Sequence, residues 1–177
     1  MDFTKVKVLI PEKDISEKVR ELGAKISADY EGRNPIFIGV LKGAYLFLSD
    51  LTRHVSELHT VDFIQARIFG QGNASTGICR LLSDVSENIE GRHVILVEDI
   101  VDSGTTISFL VNHLMSKKPA SLKICALLHK PARTRVKLNI DYKGFTIQDS
   151  FVFGYGLDFD EKYRNLPYIG IITLEEG

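Results

Sequence analysis

The amino-acid sequence predicts an α/β protein with a mostly parallel, twisted sheet flanked by helices. Three observations carry that expectation. Short apolar runs alternate with amphipathic segments along the chain, the pattern of strands joined by crossover helices. The runs at 35–40 (PIFIGV), 94–97 (VILV) and 122–128 (LKICALL) are nearly continuous in apolar residues, as suits strands covered on both faces. Residues able to do chemistry (Lys42, Glu98, Asp99 and Lys130) fall just past the ends of those runs. Open α/β sheets bind ligands there, outside the carboxyl ends of their strands.

Taken in order, Asp14 is the expected cap of a helix over 15–30, with Glu17 completing a capping box. Ile15, Val19, Leu22 and Ile26 form its apolar stripe, and Gly32 lies just beyond its end. The strand at 35–40 leads through Leu41-Lys42-Gly43 into a helix over 44–55. A strand at 61–69 follows, and residues 70–77 (GQGNASTG) are small and polar, which predicts a mobile loop. Residues 78–82 read as a strand, and Glu90-Gly91-Arg92 leads into the run at 94–97. Ile107, Leu110, Val111, Leu114 and Met115 then recur at helical spacing, with Lys117 and Lys118 at the negative end and Pro119 as the stop. After the run at 122–128, strand-like pieces are expected at 145–147, 151–155 and 169–174. No internal repeat or linker divides the chain, so residues 1–177 are expected to form a single domain.

Composition narrows the function classes. With 44% hydrophobic and 25% charged residues, the 177-residue chain is of ordinary globular type. A net charge of −1 without a basic run argues against nucleic acid as a partner. No apolar stretch approaches membrane-spanning length, and the start lacks the apolar core of a signal peptide, so no membrane association is expected. Cys79 and Cys125 stand apart in apolar surroundings, which fits a reducing, cytoplasmic location.

The most informative segment is 94–106, VILVEDIVDSGTT. An apolar strand meets Glu98 and Asp99, then Asp102, and Ser103-Gly104-Thr105-Thr106 opens the helix. Free N–H groups at a helix start, short hydroxyls and a glycine that admits close approach make a phosphate cradle. Capping alone accounts for some acids and hydroxyls near a helix start. Three acids within five residues exceed that need. Carboxylates beside a phosphate cradle make chemical sense if the ligand also offers hydroxyls, or if a divalent cation bridges them to further phosphates. A sugar phosphate bearing a metal-bound pyrophosphate meets all of these demands.

These residues resemble the phosphoribosyl-pyrophosphate signature of the type I phosphoribosyltransferases. Over 9–172 the chain is similar to their 6-oxopurine branch, the hypoxanthine and hypoxanthine-guanine phosphoribosyltransferases. The resemblance implies the type I phosphoribosyltransferase fold, with a small hood built from terminal segments. It implies a purine-salvage transferase that moves the 5-phosphoribosyl group from phosphoribosyl pyrophosphate to N9 of hypoxanthine, and of guanine, with Mg²⁺ as cofactor. A homodimer or homotetramer is implied as well. Lys42 and Gly43 would form the pyrophosphate loop, and Arg164 would reach the same group. Ser103, Gly104, Thr105 and Thr106 would hold the 5′-phosphate. Glu98 and Asp99 would bind the ribose hydroxyls and, with Asp158, the metal. Asp102 would accept the purine N7 proton, a role worth about 10²–10⁴-fold in rate. Lys130 would donate to O6, Phe151 would cover the purine face, and the backbone of Val152 would read the base edge.

One departure from the family stands at Ile68-Phe69, where a Ser-Tyr pair normally opens the loop; closure is expected either through backbone groups or through Ser75 or Thr76 as substitutes. Competing motifs fail. Lys42-Gly43 is the wrong order for a Walker loop, Phe159 breaks a dinucleotide fingerprint at Gly154 and Gly156, and the five histidines lack metal spacing. A xanthine-preferring transferase is the nearest alternative. A phosphoribosyl-pyrophosphate-sensing RNA-binding regulator is the other, and it would be expected to carry a basic face.

Overall fold

The computed structural model describes residues 6–69, 78–136 and 138–172. The 70–77 loop, with Ser75 and Thr76, lies outside the described residues. Along the chain run β1 (Val6–Ile10), α1 (Glu12–Asp29), β2 (Ile36–Val40), α2 (Tyr45–Arg53), β3 (Thr60–Phe69) and β4 (Ile78–Ser83). After them come β5 (His93–Val101), α3 (Thr105–Ser116), β6 (Ser121–His129), β7 (Tyr142–Thr146), β8 (Val152–Phe153) and β9 (Ile169–Ile172).

The central sheet has the order β4-β3-β2-β5-β6-β7. All its pairs are parallel except β3 with β4, an antiparallel hairpin at one edge. Ile36 to Gly39 of β2 face Val94 to Val97 of β5 residue for residue, so Lys42 and the acids leave the sheet at the same end. Strand period two divides the side chains between two cores. Phe37, Ile95, Val97, Cys125 and Leu127 pack with the α1 stripe and with Phe47, Leu48 and Leu51 of α2. Ile36, Ile38, Val94, Leu96, Ile124 and Ala126 pack with Ile107, Leu110 and Leu114 of α3. Both faces are covered, which explains why the strands read as apolar runs.

A second sheet, β1-β9-β8, is antiparallel throughout and unites the two ends of the described chain. It is the hood of terminal segments that the resemblance implied. β1 itself carries no clear signal in the sequence, since its middle residues are exposed and its pairing is to residues 169–172.

The start of α1 corrects one expectation. The helix begins at Glu12, with Pro11 at the N-cap and no side-chain cap. The Pro11 carbonyl accepts from the amides of Asp14 (3.1 Å) and Ile15 (3.2 Å). Proline has no N–H to leave unpaired and its φ of −72° suits helix entry, so the chain turns there. Asp14 lies inside the first turn, where its charge still favours the positive end of the helix. No helix among the described residues is long and apolar enough to cross a membrane.

Candidate active site

The loop from β5 to α3 builds the first wall of a cavity of about 280 Å³. Gly104 is the N-cap of α3 with φ +81°, a left-handed conformation that glycine adopts freely. The Ser103 hydroxyl accepts the Thr105 amide (3.3 Å) and donates to the Thr105 hydroxyl (3.2 Å). Ser103, Gly104 and Thr106 line the cavity, whereas Thr105 turns back to Ser103 and is not among the lining residues. The first amides of a helix lack intrahelical partners, so the start of α3 at the cavity offers donors to an anion, the Thr105 amide being already taken by Ser103.

Glu98 and Asp99 form the second wall, and they lie inside β5 rather than beyond it. Each is 8% exposed. The Ile100 amide donates to Asp99 Oδ1 (2.7 Å). Burial, followed by the charge of Asp99, raises Glu98 well above the usual carboxylate range; burial raises Asp99 as well. Burial thus disfavours the charged forms of both acids, and Lys42 and Arg164 line the same cavity as counter-charges. Among the described residues no group of three or more His, Cys, Asp or Glu is arranged to hold a metal alone.

Two loops close the cavity from the other side. The turn after β2 has a cis peptide between Leu41 and Lys42. A Cβ on Gly43 would overlap the Asp99 carboxylate, and one on Gly156 (φ +96°) would strike the Gly43 carbonyl. The two glycines thus allow the 41–44 turn, the β5 acids and the 154–164 loop to touch. Arg164 Nη1 donates to the Gly156 carbonyl (2.8 Å), and Nη2 pairs with Asp158 (2.8 Å) and Glu161 (3.1 Å). Lys42 Nζ pairs with the same Glu161 oxygen at 2.9 Å.

A second cavity, of about 340 Å³, adjoins the first and shares Asp99, Ile100, Asp102 and Asp158 with it. Its other lining residues are Lys130, Arg133, Phe151, Val152 and Leu157. The Lys130 side chain is buried at 4% exposure and its amide donates to the Val101 carbonyl (2.9 Å). Phe151, 55% exposed, meets Phe159 edge-on with centroids 5.4 Å apart, which leaves an aromatic face on the cavity rim. Asp102 Oδ1 is buried without a hydrogen-bond partner among the described residues, while Oδ2 faces Arg133 Nη1 at 3.4 Å. The Thr134 hydroxyl reaches the Asp102 and Lys130 carbonyls, both at 3.0 Å, and so ties the two loops together.

The structure thus gathers every candidate residue except Thr105 onto the walls of two joined cavities. Ile68 and Phe69 end β3 outside both cavities, with the guanidinium groups of Arg67 and Arg80 each 5.8 Å from the Phe69 ring centre. A larger cavity, about 540 Å³ between α1, α2 and the 155–167 segment, contains none of the candidate residues. Arg133, Thr134 and Glu161 escaped the sequence reading. Arg133 and Thr134 follow Lys130-Pro131 as ordinary turn residues, and Glu161 meets Lys42 from 119 positions away.

The model of the phosphoribosyl transferase domain matches residues 10–160. The chain belongs to the phosphoribosyl transferase family. It falls in the hypoxanthine-guanine branch: it is 43% identical to the hypoxanthine phosphoribosyltransferase of Escherichia coli over 174 residues, 97% of this chain and 98% of that one. It is 47% identical to the bifunctional protein TilS/HprT of Listeria innocua over 96% of its own length, and there it spans only 26% of the relative. A crystal structure of a hypoxanthine-guanine phosphoribosyltransferase from Bacillus anthracis superposes with a TM-score of 0.91 at 47% identity, covering 94% of this chain and 98% of that one. The parallel sheet with its hood is accordingly the phosphoribosyltransferase fold.

Proposed function

We propose that this chain transfers the 5-phosphoribosyl group of phosphoribosyl pyrophosphate to N9 of hypoxanthine, and of guanine, releasing pyrophosphate. The reaction is purine salvage and yields IMP or GMP. The observation that carries this reading is the pair of chemically different cavities meeting at Asp99, Ile100, Asp102 and Asp158. One offers helix-terminal donors and carboxylates, as a sugar phosphate requires. The other offers a buried lysine and an aromatic face, as a 6-oxopurine requires.

In this reading Ser103, Gly104, Thr105 and Thr106 hold the 5′-phosphate, and Glu98 and Asp99 accept hydrogen bonds from the ribose hydroxyls. Lys42, the Gly43 amide and Arg164 receive the pyrophosphate. Lys130 donates to purine O6, Phe151 stacks on the ring, and the Val152 backbone reads its edge. Adenine would set an exocyclic N–H donor against the lysine, so it is excluded. Asp102 takes the N7 proton as N9 attacks C1 of the ribose and pyrophosphate leaves.

The residues present also fit Mg²⁺. It binds through one or two carboxylates together with substrate phosphates and water, rather than in an all-protein cage. Carboxylates whose charged forms are disfavoured by burial, and in Glu98 also by its neighbour Asp99, are stabilised by a divalent cation. Glu98, Asp99 and Asp158 are the carboxylates that would hold it, one or two at a time together with phosphate oxygens. When bound there, it neutralises the charge that collects on the departing pyrophosphate.

The whole of 1–177 acts as one domain in the cytoplasm, as a homodimer or homotetramer. Exposed Val61, Phe63, Phe69, Ile78 and Leu82 on β3 and β4 support assembly, and light scattering that finds a monomer would contradict it. The activity is tested by mixing the protein with phosphoribosyl pyrophosphate, Mg²⁺ and hypoxanthine and detecting IMP. No IMP would refute it.

A further inference from the structure

The two cations assigned to pyrophosphate are not free in this state. Lys42 Nζ (2.9 Å) and Arg164 Nη2 (3.1 Å) both contact one oxygen, Oε2 of Glu161. We propose that Glu161 is an internal competitor of the pyrophosphate group: its carboxylate occupies the place of a phosphate oxygen and sets how tightly the site takes an anion. The inference rests on the assignment of Lys42 and Arg164 to pyrophosphate.

The turn that presents Glu161 is well held. Phe159 and Lys162 exchange backbone hydrogen bonds of 3.1 Å. The Glu161 amide donates to Asp158 Oδ2 (2.9 Å). Asp160 and Glu161 themselves have φ of 54° and 59°. Asp158 holds Arg164 independently (2.8 Å), so the guanidinium is already positioned without Glu161.

A purely structural role is a poor account of this contact. The Glu161 and Lys42 side chains are 65% and 58% exposed, and pairs so exposed contribute little to stability. That suits a contact that a more highly charged ligand must displace. Pyrophosphate carries several charged oxygens and can engage both cations at once, whereas Glu161 offers a single negative charge.

The test compares the wild-type enzyme with Glu161→Gln, measuring KM for phosphoribosyl pyrophosphate, KM for hypoxanthine, and Ki for magnesium pyrophosphate as product inhibitor. The variant should lower KM for phosphoribosyl pyrophosphate and Ki for pyrophosphate by about 3- to 10-fold, the range two exposed ion pairs allow. KM for hypoxanthine and the melting temperature should not move. Unchanged or higher KM for phosphoribosyl pyrophosphate in the variant, with an active wild-type enzyme, overturns the inference alone. A wild-type protein that forms no nucleotide overturns the assignment beneath it.

Discussion

Asp102 stands where the two cavities meet, with one oxygen facing Arg133 and the other buried and unpartnered. The side chain is 40% exposed while Oδ1 is buried, so Oδ2 is the oxygen that a purine N7–H can reach. Asp102→Asn keeps the shape and loses the basicity. Turnover is expected to fall about 10²-fold or more while KM for phosphoribosyl pyrophosphate changes little, as steady-state kinetics would show. Glu98 supplies a second prediction at this scale. Its folded-state pKa is raised by burial and by Asp99, so its contribution to stability is full below the unfolded value and is lost as pH rises through the folded value. Glu98→Gln removes that loss. The variant should gain in melting temperature over wild type as pH rises from 5 to 8, by about 2–4 °C for each kcal/mol relieved, while binding phosphoribosyl pyrophosphate more weakly. A gap in melting temperature that does not widen with pH would contradict the account.

At the scale of elements, β5 and the turn after β2 do most to shape the site. Gly43 must lack a side chain because the Asp99 carboxylate fills the space. Gly43→Ala is expected to push the acid and the 154–164 loop apart and to cost about 10²-fold in kcat/KM for phosphoribosyl pyrophosphate, the scale of loss a displacement of about 1 Å produces. Legibility varied at this level for physical reasons. The parallel strands were readable because burial on both faces makes them apolar runs, and α3 was readable from its period. The end of β5 was not: a strand is expected to stop at charge, yet the ladder to β6 continues past Glu98 to Ile100 and Val101. The helix start at Pro11 was missed because Asp14 and Glu17 mimic a capping box one turn too late. β1 was missed because its partner, β9, lies at the far end of the chain.

For the whole molecule, the hood and the sheet divide the work. The sheet's carboxyl edge carries the acids and the Ser103 to Thr106 turn, while β8 of the hood places Val152, next to Phe151, on the same cavity as Lys130 after β6. The chemistry-bearing residues were legible through one local motif and its resemblance. The ion pairs that join the loops, such as Lys42 with Glu161, were not, because only folding makes them neighbours. On the proposed reading the joined cavities select a 6-oxopurine and join it to a phosphoribosyl group. The most direct measurement is kcat/KM for hypoxanthine, guanine, xanthine and adenine with saturating phosphoribosyl pyrophosphate and Mg²⁺. Hypoxanthine and guanine are expected to be turned over, and adenine to be at least about 10²-fold poorer because its amine meets the buried Lys130. Adenine turnover equal to that of hypoxanthine would contradict the claim.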